Sequence, residues 1–170
     1  MAKQQLDLHH RKTEKARNLS NEDICRSQRP GNNTCCILMD LQQVLFVPTL
    51  TYSEMFYLRQ LSCFNFEVRV EDIGQPIMCM WNESIGNRGG NEISLCLVKV
   101  LIVNTGITEK KHLVIWSDNC CGQNKNRMMM FKLLFLVSLN GFESIEQTFL
   151  VSGHSFLSCD RDFAYVKKRK

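Results

Sequence analysis

Two short, almost wholly apolar runs each end on an aspartate, and no other feature constrains the fold of this chain as strongly. Cys35-Cys36-Ile37-Leu38-Met39 leads into Asp40, and His112-Leu113-Val114-Ile115-Trp116-Ser117 leads into Asp118. Continuous apolar runs of this length suit central strands buried on both faces. Open α/β sheets bind ligands beyond the carboxyl ends of their strands, so both acids arrive where ligand chemistry is placed. A carboxylate beside so apolar a run needs a partner or a cation to be tolerated.

The segments between these runs supply the remaining elements. Leu61 to Val70 alternates, with Phe64, Phe66, Val68 and Val70 interleaved with Asn65, Glu67 and Arg69. A turn over Glu71 to Pro76 then leads to the strand Ile77 to Trp81, making an antiparallel hairpin on the strand that carries Asp40. Ser53 and Glu54 cap a short helix running through Arg59. Ile93, Cys96, Leu97, Val100 and Leu101 recur at helical spacing, which predicts a helix ending near Asn104. A second helix is expected from about Lys125 to Leu139 around Phe131, Leu134 and Phe135, with Met128, Met129 and Met130 as core filler. Ile145 to Val151 reads as a fifth strand.

The expected fold is therefore α/β, an RNase H-like mixed sheet of about five strands, three antiparallel first and then parallel, flanked by helices. The first 34 residues are polar, with seven basic and four acidic side chains. They read as a partly helical or disordered basic segment without a strong core face. Residues 35–166 form the domain and carry 10 basic against 13 acidic residues, and residues 167–170 are a basic tail. Basic ends attract polyanions such as nucleic acid. The longest apolar stretch, Met128 to Val137, is broken by Lys132 and falls short of the ~20 residues of a membrane helix. The nine cysteines are an odd set without CxxC spacing, and nothing at the start reads as a signal peptide. The expectation is a nuclear or cytoplasmic protein, not a secreted or membrane one.

Carboxylates brought together from separate strands make a site for Mg2+ or Mn2+, which prefer oxygen ligands. After Asp40 and Asp118, a third acid is expected beyond the fifth strand, and Asp160 and Asp162 both offer it, with Asp160 favoured. Two ions ~4 Å apart would activate a water or a 3′-hydroxyl and stabilise the leaving oxygen of a phosphodiester. Lys125, Arg127 and Lys132 lie close enough to Asp118 in sequence to meet phosphates, or else form a solvated helix face. Cys120, Cys121, His154 and Cys159 suit zinc chemically but match no standard zinc spacing.

Three motifs carry a family resemblance: Asp40-Leu41-Gln42-Gln43; Ser117-Asp118-Asn119-Cys120 with Gly122-Gln123-Asn124-Lys125-Asn126; and Ser152-Gly153-His154-Ser155-Phe156 before Asp160-Arg161-Asp162-Phe163. They resemble an arthropod-rich group of transposon-derived proteins that looks like a divergent DDE-type transposase catalytic domain, over nearly all of residues 35–166. The resemblance implies catalytic carboxylates at Asp40, Asp118 and Asp160 or Asp162, with supporting roles for Asn119 and His154. It also implies metal-dependent cleavage or strand transfer on DNA at transposon ends, in a possible homo-oligomer. Cys121 departs from the glycine expected there, and the chain stops eight residues after Asp162. These features read as a C-terminally truncated, degenerate fragment of a transposable element. The alternative is a catalytically inactive nucleic-acid or protein-binding module on the same fold.

Overall fold

The computed structural model describes residues 2–48, 59–104, 107, 109–139, 141–151, 153 and 158–168. In chain order these are helix α1 (Ala2–Ser27), strands β1 (Thr34–Leu41), β2 (Leu45–Val47), β3 (Leu61–Val70) and β4 (Gln75–Asn82), and helix α2 (Gly90–Val103). Strand β5 (His112–Ser117), helix α3 (Arg127–Ser138), strand β6 (Ser144–Phe149) and helix α4 (Cys159–Lys168) follow. The short helix expected over 53–59 lies almost wholly outside the described residues.

The sheet is mixed and RNase H-like, as the pattern predicts. Strand β3 pairs antiparallel with β1 and, along its other edge, with β4. Parallel pairing then carries the sheet from β1 to β5 and from β5 to β6. There are six strands rather than about five. The addition is Leu45–Val47, which pairs with the start of β3 and is too short to show a period of its own.

Period-two alternation sorts the core into two layers. Cys35, Ile37 and Met39 of β1, Phe66, Val68 and Val70 of β3, and Leu113 and Ile115 of β5 face α2 and α3. Cys36 and Leu38, with Val114 and Trp116, face the other way and pack against Cys159 and Phe163 of α4 and Ala16 and Ile24 of α1. The polar α1 is thus docked through a narrow stripe. Its Asp23 accepts a hydrogen bond from Trp116 Nε1 at 3.0 Å, and Gln28 donates to the Glu71 carbonyl at 3.0 Å.

Helix α3 corrects an expectation. Only Met129, Leu133 and Leu136, at i, i+4 and i+7, are buried. Met128, Met130, Phe131, Leu134 and Phe135 are exposed. The physical reason is position, because α3 lies beside α2 and the edge strand β6 and no further layer lies over its outer face among the described residues.

Helix α3 begins at Asn126, whose side chain accepts from the Met129 amide at 3.0 Å. Asn126 also fills the space where a Cβ on Gly90 would lie, so the glycine lets the starts of α2 and α3 approach. Asn126→Ala should cost about 1 kcal/mol through loss of the cap. Urea unfolding checks this, and an unchanged midpoint would show that the cap contributes nothing.

Candidate functional site

Asp40 and Asp118 close two adjacent parallel strands, since Met39 and Ser117 are partners in the β1–β5 ladder. Asp40 shares the even-numbered face of β1 with Cys36 and Leu38, which is the α4 face. Its Oδ1 accepts from the Leu41 amide at 2.8 Å. Burial pushes the Asp40 carboxyl up to about 7, against the pull of that amide; the charges of Asp118 and Asp160 push the same way and Arg88 opposes them. Three of the anticipated acids therefore share one electrostatic neighbourhood.

Asp118 sits in a turn that its own motif builds. Its Oδ1 accepts from the Cys120 amide at 3.2 Å and from Asn124 Nδ2 at 2.5 Å. Asn124 is 1% exposed, and its carbonyl takes a further bond from Gln147 on β6 at 3.1 Å. The Oδ1 atoms of Asn119 and Asn124 are buried without a hydrogen-bond partner. Such orphaned oxygens are costly, and they make this turn a source of donor atoms for a ligand.

The structure separates Asp160 from Asp162. Asp160 is exposed in the first turn of α4, beside a cleft of about 280 Å3 lined by Gln42, Gln43, Phe163 and Lys167. Asp162 points back at the sheet and takes Arg69 Nη1 at 2.6 Å, so its charge is already matched. His154 lies outside the described residues. Cys159 is buried, while Cys120 is half-buried and Cys121 exposed.

Sequence reasoning missed the acid beneath α4. Glu67 is the β3 partner of Asp40 in the ladder, is 0% exposed, and finds no hydrogen-bond donor for either oxygen. Burial pushes it up to about 8, and the adjacent Asp162 carboxyl adds to the effect; the Cys159 thiol and Arg69 oppose it. Its neighbours complete a polar layer: Asn65 Nδ2 donates to Gln42 Oε1 at 3.0 Å, and Gln42 Nε2 to the Phe163 carbonyl at 3.3 Å. Arg69 Nε also lies 3.2 Å from Glu71 Oε1. The available signal was that Asn65, Glu67, Arg69 and Glu71 recur at period two beside an apolar face.

The basic candidates divide. Arg127 is exposed. The Lys125 ammonium stands over the Phe149 ring at 5.4 Å from its centroid. Lys132 spends its ammonium on α2, donating to the Asn91 carbonyl at 3.1 Å and to Asn91 Oδ1 and Ser94 Oγ at 2.9 Å; burial lowers its pKa. It ties the two helices together, and a phosphate could recruit it only by breaking those bonds.

The oxygen-rich, acidic character of the set suits a hard divalent cation. Among the described residues, no three histidine, cysteine, aspartate or glutamate side chains converge closely enough to form a finished metal cage. No helix among the described residues is long and apolar enough to cross a membrane.

Fold and site together define an RNase H-like α/β domain with acids gathered at the carboxyl ends of its central strands. Residues 70–169 match the family described as a domain of unknown function, DUF7869, and the chain belongs to it. The matched region runs from the end of β3 through α4 and includes Asp118 and Asp160 but not Asp40 or Glu67. No curated protein and no solved structure matches the chain.

Proposed function

We propose that this domain is a transposase-like, metal-dependent phosphodiester-processing domain acting on DNA, with Asp40, Asp118 and Asp160 as its carboxylates. The observation that carries the reading is the placement of Asp40 and Asp118 at the ends of two paired parallel strands, where burial first, and then the charges of Asp118 and Asp160, push Asp40 up to about 7. A divalent ion held by these three would supply the positive charge that relieves the repulsion and polarises a phosphodiester. Asp160 is kept ahead of Asp162 in this reading, because Asp162 is committed to Arg69. Asn124 orients Asp118, Asn119 beside it offers an unpartnered oxygen, and Lys125 and Arg127 remain the candidates for positioning a DNA backbone. Nuclear action and assembly on DNA ends belong to the same proposal.

The test is thermal melting in 10 mM Mg2+ or Mn2+, for wild type, Asp40→Ala and Asp118→Ala. An ion bound at ten times its Kd stabilises by about 1.4 kcal/mol, or roughly 3–6 °C in a chain of this size. The shift should appear in the wild type, grow from pH 6 to 8 as Asp40 ionises, and vanish in both variants. Without metal, Asp40→Ala should melt no lower than wild type at pH 8, since it removes a charge that burial and the neighbouring acids disfavour. A metal response that survives in both variants, or none in the wild type, would sink the proposal. Metal-dependent nicking of labelled DNA, lost in Asp118→Ala, is the expected activity.

A second reading has its own observation, the absence of a converged three-residue cage among the described residues. On that reading the domain binds nucleic acid or protein without catalysis. DNA binding that persists unchanged in Asp40→Ala, with no metal response in any form, would select it.

A further inference from the structure

Strand β4 and helix α2 bring two thiols together away from the acidic site. Ile77, Cys79 and Trp81 occupy the odd-numbered face of β4 and pack on the α2 core layer, whereas Met78 packs on the opposite layer. Cys96 packs on that same α2 core layer. Cys79 and Cys96 lie near enough for each to shift the ionisation of the other. Both are half-buried, and both line an open cleft of about 570 Å3 with Glu92, Lys99 and Trp81.

We propose that Cys79 and Cys96 form a redox site, with Cys79 as the attacking thiolate and Cys96 as the resolving thiol of a reversible disulfide joining β4 to α2. Three features support this. Both thiols line one cleft from neighbouring elements and pack on the same core layer, so a disulfide between them would join β4 to α2. The cleft admits a small oxidant. Lys99, one turn along α2 from Cys96, supplies a positive charge that favours a thiolate on either sulfur. The interaction between the two thiols lowers Cys79 and raises Cys96, and the single-serine variants test which of them attacks. Glu92 also faces Cys96 and opposes its ionisation. Cys35, Cys36 and Cys159 are buried, and burial pushes all three thiols up, so they are poor competitors.

The oxidant is a hydroperoxide. The Cys79 thiolate attacks its distal oxygen, the O–O bond breaks, and Cys79 becomes a sulfenic acid as hydroxide leaves and is protonated. Cys96 sulfur then attacks the sulfenic sulfur, forming the S–S bond, and the departing hydroxide leaves as water with the Cys96 proton. Two thiols lose two electrons, and hydrogen peroxide is reduced to two waters. A small dithiol returns the pair to the reduced form by exchange.

Each cysteine sits alone in its tryptic peptide, residues 70–88 and 89–99. The experiment treats the folded full chain with a few equivalents of hydrogen peroxide, blocks free thiols, digests with trypsin and identifies linked peptides by mass. The 70–88/89–99 pair should be the dominant disulfide. It should disappear with dithiothreitol and be absent from Cys79→Ser and Cys96→Ser. In Cys96→Ser, a sulfenic-acid probe should label Cys79 at least several-fold more than any buried cysteine. Closing a loop of this size should also raise Tm by roughly 5–10 °C. Recovery of Cys79 and Cys96 unlinked while other cysteines oxidise would overturn the proposal. So would a linked pair that forms only when urea is added.

Discussion

Glu67→Gln is expected to stabilise the protein, by an amount that grows from nothing near pH 4 to a few kcal/mol at pH 8.5. Glu67 is wholly buried with neither oxygen satisfied, and burial has moved its carboxyl from 4.5 to about 8. Below about 4.5 the group is protonated in both folded and unfolded chains and contributes no pH dependence. Between 4.5 and 8 only the folded chain holds the proton, so stability falls as pH rises, by at most 1.36 kcal/mol per pH unit. Above 8 the folded state carries a buried charge at full cost. Asp40 adds a second loss between 3.8 and about 7. The glutamine keeps the shape, carries no charge and can donate to Asp162. Urea unfolding at pH 5 and 8.5 measures the difference between wild type and variant, in which the histidine contributions cancel. Equal slopes in the two proteins would mean that Glu67 is solvated and ionised like a surface acid.

Arg69→Ala should be the most destabilising of these substitutions, costing about 3–5 kcal/mol at neutral pH, the usual result of removing one partner from a buried charge cluster. Arg69 bonds Asp162 at 2.6 Å and approaches Glu71 at 3.2 Å, with the side chain 15% exposed. Without it, Asp162, Glu71 and Glu67 would face one another beneath α4 with no cation. Ser158, which donates to Glu71 Oε1 at 3.0 Å, would lose the orientation of its acceptor as well. Helix α4 should loosen first, because this pair and the packing of Cys159 and Phe163 hold it to the sheet. Limited proteolysis should cut 159–168 in the variant before any other helix, and adding Asp162→Asn should recover part of the loss. A double-mutant cycle showing no coupling between Arg69 and Asp162 would count decisively against this account.

The two substitutions concern one polar layer, and that layer bears on the proposed chemistry. Glu67 lies beside Asp40 across the β1–β3 ladder, and Asp162 is held by the arginine two residues beyond Glu67 on β3. The pairing of Asp162 to Arg69 leaves Asp160, one position from the buried Cys159, as the α4 acid that faces outward. Helix periodicity makes this choice, since residues two apart on a helix point in different directions.

Much of this was written in the chain itself. The apolar runs ending at Asp40 and Asp118 pointed to two buried strands and the arrival of both acids at their ends, because runs this short between turn residues fit a strand covered on both faces better than a helix. The alternation from Phe64 to Val70 determined an antiparallel hairpin, and the spacing of Ile93, Leu97, Val100 and Leu101 determined α2. What covers each surface was decided only by the tertiary structure. The polar positions of β3 look the same in sequence whether water or a helix lies over them, and here α4 buries Glu67 against Asp162 and Arg69. The apolar residues of α3 look like core, yet its place at the sheet edge leaves Phe131 and Phe135 in solvent. Asp160 and Asp162 sit in one short motif, and only the packing of α4 on β3 gave one an arginine and the other a place beside the strand ends. Local pattern determines which residues share a face; the layer that reaches that face is set by contacts between residues far apart in the chain.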